Sequence, residues 1–165
     1  MNGTSRRTRG ALAAVALAVA LAAHAQAPRS PTPATVDGPL VVTEIARGFE
    51  HPWGLAFLPD GRMLVTERPG RLVLVEADGR ARRTLAGVPS VRAGGQGGLL
   101  GIALSPNFAQ DRLVYLSFSE AGEGGAGTAV ARGRFTGTAL ENTDVIWRQT
   151  PKFGGGKHSG SRPVF

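Results

Sequence analysis

From residue 40 onward the chain alternates short apolar runs, rich in Val, Leu, Ile and Phe, with clusters of turn-forming residues. That spacing predicts short strands joined by tight turns. The run "LVVTEIA" at 40–46 comes first. The stretch "WGLAFLPDGRMLVTERPGRLVLVEADGR" then divides into strands near 53–58, 62–67 and 71–76, separated by Pro59-Asp60-Gly61, Pro69-Gly70 and Asp78-Gly79. Proline sets φ and glycine supplies positive φ, which tight turns require. Asp60 and Asp78 are turn residues on this reading. "RRTLAGV" at 82–88 supplies a fourth strand. Beyond residue 25, no long window has the 3.6-residue spacing of a helix.

The plan then recurs. "GLAFLPD" at 54–60 aligns with "GIALSPN" at 101–107, with Gly, Ala and Pro in matching places, so Gly54 and Gly101 set a repeat offset of 47 residues. "RMLVTE" follows the first copy and "RLVYLSFS" the second. A glycine-rich loop "EAGEGGAG" (120–127), a strand "TAVARGRF" and a last strand around "DVIWRQ" complete the second unit. Four antiparallel strands recurring at about 40–50 residues mark β-propeller blades. A generic β-sandwich gives no reason for two Pro-turn positions to match in register. The expected fold class is therefore all-β, a β-propeller of four-stranded antiparallel blades, with about the first two blades present. "GSRPVF" at 160–165 reads as the start of a third blade's first strand. Propellers close with about four to eight blades, so the expectation is the N-terminal, incomplete part of a longer domain, over residues 40–165.

The first 25 residues have a different texture. Arg6, Arg7 and Arg9 precede the apolar run Ala11–Ala25, and Ala23-His24-Ala25 offers a small-residue cut site. This is the three-part pattern of a signal peptide, residues 1–25. The run is shorter than the roughly 20 apolar residues of a spanning helix, so no membrane span is expected after its removal. Arg6-Arg7 points to twin-arginine export, but Thr8-Arg9 lacks the hydrophobic continuation, which favours the general secretory route. The expected location is periplasmic or secreted. Residues 26–39, rich in Pro, Ala and Thr, read as an extended, mobile leader. Losing residues 1–25 removes three arginines and no acids, lowering the formal charge from +7 to +4. The remaining arginines are dispersed and there is one tyrosine, a poor nucleic-acid footprint. With no cysteine and three histidines (His24, His51, His158), no zinc-site spacing is recognisable, and stability must come from packing.

Two stretches carry candidate chemistry. In "VRAGGQGGLLG", Gln96 sits among four glycines before an apolar strand. Glycines let a ligand approach the backbone, and an amide both donates and accepts hydrogen bonds. In "FGGGKHSGSR", His158 lies in a glycine loop, flanked by the cations Lys157 and Arg162. Imidazole suits general-base work near neutral pH. Taken alone, each residue reads more readily as an ordinary solvated side chain in a flexible loop. Other matches fail. "GEGGAG" at 122–127 precedes β-like residues rather than a helix and reads as a hairpin loop. "GGGKH" lacks the Ser or Thr of a phosphate loop. Ser159 and Ser161 lack a nucleophile-elbow motif. His51-Pro52-Trp53 reads as blade packing.

Together "HPWGLAFLPDGRMLVTERPGRL", "GGQGGLLGIALSPNFAQDRLVYLSFS" and "GTAVARGRF", in this order and spacing, resemble the glucose/sorbosone dehydrogenase family, the soluble PQQ-dependent aldose sugar dehydrogenases. The likeness runs from Val41 to Phe165. It implies a six-bladed propeller exported to the periplasm. It implies oxidation of aldose sugars at the anomeric carbon to lactones, with hydride transfer to a PQQ quinone held by calcium and electrons passed to an acceptor. By the resemblance, His158 matches the catalytic base, Gln96 a sugar-contacting glutamine, and Arg162 an arginine of the same motif, a candidate for active-site support whose role the resemblance leaves open. Many relatives read His-Phe-Gly-Ser-Arg-Leu-Val-Phe where this chain has Ser159 and Pro163, and some carry Asp where Lys157 stands. The resemblance also puts the PQQ- and calcium-binding residues beyond this chain, which by itself is then expected to be inactive. The rival expectations are a non-enzymatic exported propeller that binds carbohydrate or protein, and a truncated product without function.

Overall fold

Residues 34–35 and 38–165 are described by the computed structural model. The expected signal peptide (1–25) lies outside the described residues, as does most of the expected leader (26–39). The chain forms two units, Met1–Val42 and Thr43–Phe165. In the first, β1 (Ala34–Thr35) pairs antiparallel with β2 (Gly38–Pro39).

The second unit holds two four-stranded antiparallel sheets. Strands β3 (Pro52–Phe57), β4 (Met63–Glu67), β5 (Arg71–Val75) and β6 (Arg82–Leu85) form the first. Strands β7 (Leu99–Leu104), β8 (Leu113–Gly122), β9 (Gly125–Phe135) and β10 (Leu140–Arg148) form the second. Both are in sequence order, so each is a meander, the propeller blade expected from the repeat. The turns are those read from the chain. The Asp60 carboxylate accepts from the Arg62 N–H at 3.1 Å, and Asp78 accepts from the Arg80 N–H at 3.0 Å.

Strand β4 is buried along its whole length: Met63, Leu64 and Val65 pack as apolar core, and the buried Thr66 and Glu67 are hydrogen-bonded. One face of the first blade presents Leu64, Leu72, Leu74 and Leu85 to Val114, Leu116, Phe118, Ala129 and Ala131 of the second. The other presents Met63, Val65, Val73 and Val75 to Ala46 and Phe49 of the entering chain. Leu74 is fully buried at this blade-to-blade contact. Leu74→Ala is expected to cost about 2–5 kcal/mol through lost transfer energy and a residual cavity. It should be read as a lower urea midpoint at unchanged slope.

Two expectations need correction. The run "LVVTEIA" forms no strand; Leu40, Val41, Val42 and Ile45 are exposed. High β-propensity makes a strand only where a ladder partner exists, and among the described residues this run has none. The glycine-rich "loop" 120–127 is mostly ladder: pairing runs out to Gly122↔Gly125, leaving Glu123 and Gly124 as the turn. Its glycines make room instead, because a Cβ on Gly122 would lie 2.6 Å from Lys152 Cδ, and one on Gly125 would overlap the Phe153 carbonyl. A short helix, α1 (Phe108–Asp111), follows β7, and leaves the absence of any long helical window among the described residues intact. Four residues are too few to show a period. It is fixed by Asp111, which accepts from the Ser105 hydroxyl at 2.6 Å and from the Leu113 N–H at 2.9 Å.

The repeat extends to the irregularities. The β3–β4 register slips between Pro52 and Leu55, and β7–β8 slips between Leu99 and Ile102, each 47 residues on. Gly54 and Gly101 sit in these bulges. The Gly54 N–H donates to Thr66 Oγ1 at 2.8 Å, and Gly101 N–H to Ser117 Oγ at 3.0 Å. Thr66 Oγ1 then donates to Leu100 O of the next blade at 2.5 Å. A Cβ on Gly54 would stand 2.9 Å from Leu100 O, and one on Gly101 would overlap Ser161 O. Each bulge glycine thus admits the backbone of the element that follows. Residues 159–165 form no ladder, yet they lie where a third blade's inner strand would begin. Gly160 N–H donates to Thr128 Oγ1 at 3.1 Å, and Phe165 meets Tyr115 edge-on with centroids 4.8 Å apart.

Candidate active site

The segment 149–160 leaves β10 and crosses the end of the second blade where β7 begins. Its anchors come first. Thr128 N–H donates to Gln149 Oε1 at 3.0 Å, and Gln149 N–H donates to Thr128 O at 2.9 Å. Phe153 and Ala126 exchange two backbone hydrogen bonds, of 2.9 and 3.0 Å. Lys152 Nζ reaches Glu120 Oε2 at 2.6 Å and Glu120 O at 3.2 Å. The segment is therefore not a free loop, although it carries four of the chain's glycines.

Hydrogen bonding from Lys152, aided by Arg148, holds the Glu120 carboxyl below the usual glutamate range. A carboxylate depressed by folding stabilises above its unfolded pKa, and that stability is lost as pH falls through the lower folded value. Acid titration should therefore shift the NMR signals of Lys152 and Phe153 together, at pH values below those at which an exposed glutamate titrates. Glu120→Gln should abolish that transition.

The structure brings two of the three candidate residues together. His158 N–H donates to Gln96 Oε1 at 3.0 Å, across 62 residues of sequence. Gln96 N–H donates to Gly156 O at 3.0 Å. The glycine run around Gln96 is held from the first blade: the Arg68 guanidinium donates to the carbonyls of Gly95 and Gly97. His158 has left-handed backbone, φ 59°, and lines a small cleft of about 30 Å³ with Thr128, Gln149, Phe153 and Ser159. That is room for about one water. Ser119, Ala126, Phe153 and Gly156 are shared with a wider adjoining cleft of about 290 Å³, which Arg92 and Gly94 also line.

Arg162 is not in that group. It lines a separate cleft of about 300 Å³ between the inner strands, with Trp53, Gly54, Leu55, Gly101 and Pro163. Leu100 O faces Gly54 and Ser161 O faces Gly101. The residue after each contact is Gly101 in one case and Arg162 in the other. Arg162 thus takes the third place in a series that begins with two glycines. Trp53, read as blade packing, is instead half exposed in this cleft. Glu120, Thr128, Gln149 and Lys152 were missed by motif reading. Nothing in their spacing marks them, because they act through contacts made only after folding. Among the described residues, no group of three or more His, Cys, Asp or Glu side chains is placed to hold a metal ion. No described helix is long and apolar enough to cross a membrane.

The profile of the "Glucose / Sorbosone dehydrogenase" family matches residues 49–165. The chain belongs to this family. Among its relatives, the aldose sugar dehydrogenase YliI of Escherichia coli (strain K12) is 47% identical over 137 residues, covering 81% of this chain and 36% of that protein. The crystal structure of the soluble aldose sugar dehydrogenase from Escherichia coli in its apo form superposes with a TM-score of 0.67 at 47% identity, over 71% of this chain and 35% of that one. The PQQ-bound form of the aldose sugar dehydrogenase from Streptomyces coelicolor gives a TM-score of 0.67 at 36% identity, over 81% of this chain and 39% of that one. The chain spans about a third of the length of the curated relatives it matches. The family membership and the paired four-stranded blades agree: this is an all-β propeller architecture, of a sugar dehydrogenase family with a PQQ-bound member.

Proposed function

We propose that the whole protein is a PQQ-dependent aldose dehydrogenase, exported to the periplasm or beyond, and that this chain supplies its catalytic base. In this reading an aldose sugar is oxidised at the anomeric carbon to a lactone. PQQ, when bound, supplies the acceptor for the hydride, and an external acceptor takes the electrons onward. The His158 imidazole removes the proton of the anomeric hydroxyl, Gln96 contacts the sugar, and Arg162 supplies a cation for an anionic group between the inner strands. That last role fits the cleft, where Arg162 is the one charged residue among Trp53, Gly54, Leu55, Gly101, Ile102, Ser161 and Pro163. In this reading the calcium ligands belong to the part of the relatives' length that this chain does not span, and the 165-residue chain alone is inactive.

The observation that carries the proposal is the juxtaposition of Gln96 and His158, two candidates from distant motifs, at one end of the blade. It is tested by dye reduction with aldoses, using a protein of the relatives' full length. Turnover that requires both PQQ and Ca²⁺ supports it. Sugar binding without turnover under those conditions would instead establish a non-enzymatic propeller.

A further inference from the structure

We propose that Gln96 is a positioning residue: its side-chain oxygen holds the His158 backbone, which leaves the Nε2 donors to meet the sugar. The inference rests on the reading of His158 as the base.

A backbone N–H can only donate. The atom facing His158 N at 3.0 Å must therefore be Gln96 Oε1, which fixes the orientation of the amide and turns Nε2 away. Gln96 also holds the same stretch through its backbone, by way of Gly156 O. The two bonds straddle Lys157 and clasp residues 156–158 from one position. Close approach is part of the device, because a Cβ on Gly95 would come 2.5 Å from Gly156 O. A left-handed backbone at a non-glycine residue persists where surrounding structure imposes it. At His158 that structure is Gln96 before it and the Thr128 hydroxyl on Gly160 after it. Nε2 makes no hydrogen bond among the described residues and Gln96 is exposed. Its two N–H groups can donate to a sugar oxygen, and Oε1 keeps one further lone pair.

Two substitutions separate the roles. Gln96→Glu keeps an acceptor for the His158 N–H and loses both donors. Gln96→Ala loses both functions. Hydrogen exchange on the 165-residue chain should show residues 156–160 exchanging roughly five- to tenfold faster in Gln96→Ala, the loss expected for one hydrogen bond. Gln96→Glu should stay within about twofold of the parent on the same scale. Protection in β4 and β5 reports that each variant is folded. In the whole enzyme, Gln96→Glu should raise KM about tenfold with kcat nearly kept, whereas Gln96→Ala should lower kcat as well, because the base is no longer held in place. Unchanged exchange at 156–160 in Gln96→Ala, or equal losses of kcat in both variants, overturns the proposal. If the parent enzyme oxidises no sugar, the reading of the function fails, and the exchange experiment still decides the clasp.

Discussion

A His158→Ala variant of the whole enzyme is expected to lose turnover by about 10²- to 10⁴-fold, the usual contribution of a positioned general base, while still binding sugar. The prediction turns on which part of His158 is used. Its backbone N–H, not its imidazole, makes the bond to Gln96, so alanine keeps that anchor. The left-handed φ of 59° is a second consideration, because alanine is no more at ease there than histidine. Asparagine adopts that conformation more readily. His158→Asn should therefore fold at least as well and be equally inactive. Should the asparagine variant retain turnover, the backbone rather than the imidazole would matter, and the base assignment would be wrong.

The second large effect is structural. Gly101→Val is expected to lift residues 159–165 off the second blade and to cost about 1–3 kcal/mol, as overpacking does. The obstacle is the Ser161 carbonyl, with Pro163 Cδ 2.7 Å from the new Cβ; backbone and a proline ring have no rotamer to move to. The Tyr115–Phe165 contact should be lost, and proteolysis after residue 158 should accelerate. Gly155→Ala is the control, since a Cβ there meets nothing within 4 Å and the stability should change by less than about 0.5 kcal/mol. A Gly101→Val chain as stable as the Gly155→Ala chain would mean that the segment does not depend on this contact.

The blades were legible because a repeat constrains geometry at every level. The 47-residue offset between Gly54 and Gly101 is also the offset between their bulges. Tight turns at Asp60 and Asp78 were legible because the chemistry is local. What was misread depends on partners. "LVVTEIA" has the composition of a strand but, among the described residues, no neighbouring edge. The glycines of 122–127 looked like a loop because their purpose, admitting Lys152 and Phe153, lies elsewhere in the chain. The candidate site reads from the sequence as two residue types in two glycine runs. Their union does not, since a side-chain amide bonding a backbone 62 residues away leaves no pattern in composition or spacing.

A rotationally repeated assembly has no preferred orientation until one repeat breaks its own rule. Gly54 and Gly101 are two spokes without a side chain, and the corresponding third position carries a guanidinium. With one cation beside two positions that carry no side chain, an anionic group entering this cleft would be drawn most strongly to the third position rather than evenly along the three.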